Sequence, residues 1–128
     1  RCRHGESPMI YGSGEQPRDF TYITDVWRVN EQLLTDDSAD GEILNIGSTD
    51  KIDIRTLAEV IRDEIDPSLD IVSDDVRKGD AKHTHADVSK AQDLLGYEPT
   101  VSINEGIQKF IQWYEQNATW YDPLVRNS

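Results

Sequence analysis

Two arginines, Arg18 and Arg77, are the residues in this chain best suited to binding a ligand. Each lies in a turn-like, nearly neutral segment, whereas the whole chain has 13 basic and 25 acidic residues and a net charge of −12. A guanidinium group binds a phosphate through two parallel N–H donors. Two of them could therefore hold the two phosphates of a diphosphate, with Asp19 and Asp80 orienting them or accepting hydrogen bonds from sugar hydroxyls. The alternative is that each arginine pairs only with its neighbouring aspartate.

Two other groups of residues give weaker predictions of function. His83 and His85 lie on one face of an extended segment and could bind a metal together with Asp80 or Asp87. Because no third ligand is clear, two loop-packed imidazoles are the preferred interpretation, and we expect no metal. The segment 12–14 (Gly-Ser-Gly) starts like a dinucleotide-binding turn, but it lacks the third glycine and the helix that should follow. It is interpreted as a plain turn.

Short strands and four helices must position these residues, which predicts an α/β architecture. Strands are predicted at 10–11, 20–23, 42–47 and 70–72. The predicted helices begin at caps and end at breakers or loops: Thr24 to about Thr35, Asp53 to Pro67, Asp87 to Gly96, and Ser102 to about Asn117, followed by an aromatic tail. The strands are too few and too short to close a sheet alone. We therefore expect these elements to dock onto a larger body.

Length and composition exclude several classes of function. The 128 residues suffice for one domain, 1–128, and not for two. The negative charge argues against a nucleic-acid groove, which needs a basic face. No apolar run approaches the roughly 18 residues of a membrane-spanning helix, and no signal-peptide pattern is present, so we expect no membrane partner and a cytoplasmic location. The single cysteine, Cys2, excludes an internal disulfide.

The excess negative charge is concentrated in residues 36–75, which hold 13 acidic and 3 basic residues. A solvated acidic face is the preferred interpretation over an acidic binding patch. Sixteen of the acidic residues are Asp and only 5 residues are Lys, a composition that favours a protein adapted to high salt. This hypothesis predicts a higher melting temperature in multimolar salt than in dilute buffer, and the opposite order would contradict it.

Three blocks resemble one family in order and spacing. Residues 10–26 (IYGSGEQPRDFTYITDV) are similar to the pattern IYGDGxQxRDFxYVxDV of extended short-chain dehydrogenases/reductases that act on nucleotide sugars. Residues 44–47 (LNIG) resemble the family's xNIG strand, and residues 77–99 resemble RxGDxxxxxADxSKAxxxLGYxP. The similarity covers about residues 5–115 and is greatest to UDP-glucose 4-epimerases and their N-acetylated-sugar relatives. It implies a small mixed α/β substrate-binding portion, the C-terminal part of a Rossmann-type enzyme without its dinucleotide-binding half.

The resemblance also implies roles for six residues. Arg18 and Arg77 would hold the diphosphate and Asp80 the ribose hydroxyls, while Tyr11 and the backbone around Met9 would lie against uracil. Thr84 matches a position that faces the hexose, where a small residue admits an N-acetyl group. The implied ligand is a UDP-hexose or a UDP-N-acetylhexosamine. Ser13 and Lys78 depart from the commoner Asp and Pro, at positions outside these contacts.

The family's catalytic elements are not in this sequence. Its members use NAD to oxidise and then reduce the sugar at C4, with the tyrosine of a Tyr-x-x-x-Lys motif as base. None of the five tyrosines here has Lys four residues later. We therefore expect this chain to bind substrate weakly, to bind no NAD and to be inactive alone, within a parent NAD-dependent 4-epimerase that forms a homodimer. The alternatives are a dehydratase or decarboxylating relative on the same scaffold, a nucleotide-sugar-binding module without catalysis, and a purely structural acidic domain.

Overall fold

The computed structural model describes residues 1–76 and 84–126. This part of the chain contains a 3-10 turn at Cys2–His4, four helices and four short strands. The helices are α1 (Ile23–Gln32), α2 (Ile54–Ile65), α3 (Ser89–Leu95) and α4 (Ile103–Arg126), and the strands are β1 (Met9–Tyr11), β2 (Pro17–Arg18), β3 (Ile52–Asp53) and β4 (Val72–Asp74). The predicted mixed α/β fold with four helices and short strands is confirmed.

The strands form two separate pairs in the described residues. Strand β1 pairs in parallel with β4, so that Tyr11 lies opposite Asp74. A parallel pair needs a crossover connection, and α2 lies within this one. Strand β2 pairs antiparallel with β3, so that Arg18 lies opposite Ile52. Because β3 leads directly into α2, the second pair fixes the Arg18 segment against the start of that helix.

Helix α2 begins and ends where its local sequence predicts, whereas α3 ends at the predicted place but has Val88 as its N-cap residue, one residue after the predicted Asp87, with no side-chain capping bond. The Asp53 carboxylate accepts a hydrogen bond from the Thr56 N–H at 2.7 Å, and α2 ends two residues before Pro67. The Asp87 carboxylate accepts one from the Ser89 N–H at 3.0 Å at the start of α3. Gly96 follows this helix with a φ of 63°, a left-handed conformation that glycine adopts without steric cost.

The predicted cap of α1 is wrong. The helix begins at Ile23, one residue before Thr24, and its N-cap residue is Tyr22, which makes no side-chain capping bond. Asp25 does lie in the first turn, but it is only 1% exposed, and its carboxylate bonds to Thr100 and Val101 instead of staying at the surface. The first turn of α1 is therefore held by the buried contact of Asp25 with Thr100 and Val101, and not by a side-chain cap.

The strand predictions are correct only in part. Residues 42–47 form no strand in the described part of the chain, and Ile43 is 87% exposed. An extended segment becomes a strand only when a neighbour pairs with it, and no described strand lies beside this one. The strand expected at 20–23 is instead β2, at Pro17–Arg18, and β4 begins at Val72. The pattern of side chains alone therefore did not locate these short strands correctly.

Helix α4 is longer than expected. It continues past Asn117 to Arg126 and includes Pro123, instead of ending in an irregular tail. Aromatic contacts accompany the extra turns: the Trp113 and Tyr121 rings meet edge to face at 5.4 Å, and the Trp120 indole N–H donates to the Asn117 side-chain oxygen at 2.8 Å. These aromatic residues therefore pack as part of the helix.

The buried core joins the end of α1, the loop after it, and α3. The buried residues of this cluster are Val29, Ala39, Val88, Ala91, Leu95 and Tyr97. Both ends of the α3 segment thus lie in the core, which fixes the chain from residue 88 to residue 97. In residues 1–76 and 84–126, no helix combines the length and apolar character needed to cross a membrane.

Candidate functional site

Arg18 is held next to the N-terminal end of α2. The Arg55 N–H donates to the Gly14 carbonyl at 3.0 Å, and the Arg55 Nε donates to the Ser13 carbonyl at 2.9 Å, which fixes the turn before β2. Gly14 has a φ of 79°, and a Cβ there would lie 2.8 Å from the Ile10 Cδ1 atom, so only glycine fits without displacement. The half-buried Arg18 side chain donates from one guanidinium nitrogen to the Pro17 carbonyl at 2.8 Å.

Met9 and Tyr11 lie on β1, with the buried Ile10 between them. Met9 lines a mainly apolar cavity of about 330 Å³ together with residues of α2 and α4. The Tyr11 carbonyl accepts a hydrogen bond from the Gln16 side-chain amide at 3.3 Å, which connects the end of β1 to the turn that precedes Arg18. In the described residues β1 pairs along one edge only, with β4.

The Asp19 carboxylate joins three segments that are distant in sequence. One oxygen accepts a hydrogen bond from the Ser48 N–H at 2.7 Å. The other lies 3.5 Å from the Ala86 N–H and 3.5 Å from the His85 Nδ1. The side chain of Asp19 is only 9% exposed, so these groups take the place of water around it. The contacts bring the Arg18 segment next to the segment that begins at Thr84.

Gly47 allows this close approach. A Cβ at this position would lie 2.7 Å from the Ala86 Cβ and 2.9 Å from an Asp19 carboxylate oxygen, both too short for a real contact. The buried Tyr97 hydroxyl donates to the Gly47 carbonyl at 2.7 Å. Burial raises the pKa of the Tyr97 hydroxyl, and the Asp25 and Asp19 carboxylates raise it further. Tyr97 therefore stays protonated and remains a donor at neutral pH.

The predicted site residues are placed unequally. The Arg18 and Thr84 segments are brought together, and Thr84 is exposed. Tyr11 is connected to the Arg18 turn through Gln16. Arg77 and Asp80 lie outside the described residues, so the predicted convergence of the two arginines stays a prediction.

His83 also lies outside the described residues, so its pairing with His85 in a metal site is untested. His85 faces Asp19.

The roles of Gly47, Ser48 and Tyr97 were missed from the sequence. All three belong to, or directly follow, segments whose pattern was noted, 44–47 and 77–99, but no chemistry was assigned to them. The available signal was the pair of small residues after an apolar run, which is typical of a close backbone approach. The contacts of Gly47 and Ser48 with Asp19, and the bond from Tyr97 to the Gly47 carbonyl, depend on tertiary structure, and spacing alone does not reveal them.

Comparison with protein families identifies a match over most of the chain. The family model described as GDP-mannose 4,6 dehydratase matches residues 1–110.

Among the curated relatives, the UDP-glucuronate 4-epimerase of Thermodesulfobacterium geofontis is 37% identical over 88% of this chain and 35% of its own length. A putative UDP-glucose 4-epimerase of Methanocaldococcus jannaschii is 33% identical over 88% of the chain and 35% of its own length. The dTDP-glucose 4,6-dehydratase of Streptomyces antibioticus is 31% identical over 91% of the chain and 35% of its own length.

Solved structures agree with these matches. The UDP-glucose 4-epimerase of Thermotoga maritima, determined with UDP-glucose, superposes with a TM-score of 0.85 at 30% identity, covering 92% of this chain and 38% of that one. The UDP-glucuronic acid 4-epimerase of Bacillus cereus, in complex with UDP-glucuronic acid and NAD, gives a TM-score of 0.72 at 32% identity, covering 88% and 36%. The chain thus spans about 35% of the length of the curated relatives that it matches.

Proposed function

Because this chain belongs to the GDP-mannose 4,6-dehydratase family of extended short-chain dehydrogenases/reductases, we propose that it is the nucleotide-sugar-binding portion of an NAD-dependent 4-epimerase. Its ligand is a UDP-hexose or a UDP-N-acetylhexosamine. The observation that carries the proposal is the junction at Asp19, which places the Arg18 segment beside the Thr84 segment. Arg18 is a basic residue in a chain in which acidic residues outnumber basic ones.

In this proposal the nucleotide lies across the two strand pairs. The guanidinium groups of Arg18 and Arg77 bind the diphosphate, and Asp80 binds the ribose hydroxyls. The base lies against Tyr11 and the backbone around Met9, along the edge of β1 that no described strand covers. Thr84 faces the hexose, and because its side chain is small and exposed it leaves room for an N-acetyl group.

The described residues do not fit an NAD site. In the described part of the chain, the candidate turn for the cofactor's pyrophosphate, residues 12–14, connects β1 to β2, and the chain after it enters a strand instead of a helix N-terminus. We propose that NAD is bound by the remaining portion of the parent enzyme. This chain then contributes substrate binding and positioning and catalyses nothing alone, which suits a reaction whose reactive atom belongs to the cofactor.

A second candidate reaction is that of a nucleotide-sugar dehydratase. It is favoured by the 31% identity to a dTDP-glucose 4,6-dehydratase, a value close to that for the M. jannaschii relative with an epimerase name. Both reactions need the same diphosphate and sugar contacts. They differ in catalytic groups, and the sequence of these 128 residues contains no Tyr-x-x-x-Lys motif.

Calorimetric titration of the 128-residue chain with UDP, and with uridine as the matched ligand without phosphate, tests the proposal. Two charge-assisted arginine contacts, each worth roughly 1.5–3 kcal/mol, should make UDP bind at least about 100-fold more tightly than uridine. Equal affinities would contradict diphosphate recognition. No UDP binding at millimolar ligand would contradict a binding role for this chain.

A further inference from the structure

We propose that Asp19 is a positioning residue for the nucleotide sugar: its carboxylate holds the segment that begins at Thr84 in register with Arg18. The proposal rests on the proposed function and adds to it a residue that acts without touching the ligand. It also differs from the simple expectation that Asp19 orients the guanidinium group beside it. The contacts of the carboxylate reach across the fold, to residues 29 and 67 positions away in sequence.

The Asp19 carboxylate contacts two segments besides its own. Asp19 directly follows Arg18, and the carboxylate bonds through one oxygen to the Ser48 N–H and faces Ala86 and His85 with the other. One side chain therefore connects the strand that carries Arg18 with both of these segments, which also contact each other through the Asn45 side chain and the Asp87 carbonyl. Among the described residues, strand pairing does not make this link, because β2 pairs with β3 and neither strand reaches residues 84–86.

The Asp19 carboxylate is buried and needs hydrogen-bond donors. At 9% exposure it has lost most of its hydration, and a buried carboxylate must be compensated by donors. Backbone N–H groups and a histidine ring provide them. The shortest of these contacts, the 2.7 Å bond from the Ser48 N–H, is a charge-assisted hydrogen bond, a kind stronger than a bond between neutral groups.

Residues 84–87 are held at both the core and the Asp19 carboxylate. Residue 88 begins the part of the chain that is buried in the core, so residues 84–87 are anchored at one end by Val88 and by Asp19 in between. Thr84, His85 and Asp87 are exposed. Without Asp19, residues 84–87 would still be held by the packing of Ala86 and by the Asn45 bond to the Asp87 carbonyl, but they would lose their hydrogen-bonded link to the strand of Arg18. A misplaced contact weakens binding steeply.

Asp19→Asn is the decisive variant. Asparagine can still accept the Ser48 N–H bond, but its NH₂ group cannot accept a hydrogen bond from Ala86 or from the His85 ring. We expect UDP and UDP-N-acetylglucosamine to bind the variant about tenfold more weakly, as measured by calorimetry at a temperature at which the variant is folded. Electrostatics alone predicts the opposite sign, because removing a negative charge near a diphosphate site strengthens anion binding.

The matched control is Asp50→Asn, which removes the same charge from an exposed position two residues after Ser48. It should bind UDP as tightly as the unchanged chain, or slightly more tightly. A second variant, Gly47→Ala, changes no charge but places a Cβ 2.9 Å from the Asp19 carboxylate and 2.7 Å from the Ala86 Cβ. It should weaken UDP binding in the same direction as Asp19→Asn.

Hydrogen exchange on the unchanged chain tests the inference without any variant. If the junction holds the site, saturating UDP should slow exchange at the Ser48 and Ala86 amides, and unchanged exchange at both would overturn the inference. If the unchanged chain binds UDP and Arg18→Ala loses that binding while Asp19→Asn keeps it, the positioning role is wrong and the proposed function stands. If the unchanged chain does not bind UDP, both are wrong.

Discussion

Replacing Arg18 by alanine should weaken UDP binding by about 10- to 150-fold. The estimate corresponds to one charge-assisted contact worth roughly 1.5–3 kcal/mol. Arg18 lies in a short strand that β3 and the start of α2 hold in place, so its guanidinium group is positioned before the ligand arrives. Preorganisation of this kind means that little of the contact energy is lost to ordering the side chain. Isothermal titration calorimetry measures the change.

Two further variants separate charge from geometry. Arg18→Lys keeps the positive charge but loses the two-pronged donor, so its affinity should lie between those of the unchanged chain and Arg18→Ala. Arg3→Ala is the matched control, because Arg3 is an exposed arginine whose guanidinium pairs with Glu115 at 3.0 Å, and such surface pairs contribute little. An affinity for UDP within twofold of the unchanged value in Arg18→Ala would remove Arg18 from the site.

Asp25→Ala should lower the free energy of unfolding by about 3–5 kcal/mol, the range for removing one partner from a buried ion-pair network. Asp25 is 1% exposed, and its carboxylate accepts from the Thr100 hydroxyl at 2.7 Å and from the N–H groups of Thr100 and Val101 at 3.1 and 3.3 Å. The Arg28 guanidinium lies 3.7 Å away. Alanine would leave these donors without the acceptor that ties α1 to the chain before α4. Urea unfolding measures the loss.

The control for this variant is Asp93→Asn, an exposed aspartate of α3, which should change stability by no more than about 0.5 kcal/mol. The two variants remove the same charge at opposite extremes of burial. Equal effects would show that Asp25 contributes only through net charge, and would contradict the buried network.

The same carboxylate predicts a dependence of stability on pH. Burial acts to raise the pKa of Asp25, but hydrogen bonds from Thr100 and Val101 and the nearby Arg28 outweigh it, so the pKa lies below its ordinary value of 3.8. A lowered pKa in the folded state means that the contribution is complete above about pH 4 and is lost as the pH falls through the folded-state pKa. The stability difference between the unchanged chain and Asp25→Ala should therefore shrink below pH 4.

Elements whose ends are set by local hydrogen bonds were predictable from the sequence. The cap at Asp53 and the left-handed Gly96 each depend on residues within a few positions, and both predictions are confirmed. The predicted cap at Asp87 is displaced by one residue, because Val88 is the N-cap residue of α3. Elements set by distant partners were not. Residues 42–47 have the composition of a strand but no described strand to pair with, and α1 begins before Thr24 while Asp25 turns inward to Thr100.

The candidate site was likewise predictable from the sequence only in part. Short sequence motifs pointed to Arg18 and Thr84 through a family resemblance. The family itself is confirmed by the match over residues 1–110. The junction between them was not predictable, because it consists of an Asp19 side chain bonded to backbone groups of Ser48 and Ala86. Backbone donors have no signature in the sequence. Only the close approach at Gly47 left a trace, as a glycine where a side chain would collide.

The central claim is that Arg18 and Arg77 bind the diphosphate of one nucleotide. A crystal structure of the chain with UDP tests it most directly. The account predicts both guanidinium groups within hydrogen-bond distance of the same diphosphate, with Thr84 beside its sugar-facing end. A structure in which UDP binds while the two arginines lie on separate surfaces, or in which the diphosphate contacts neither of them, would contradict it.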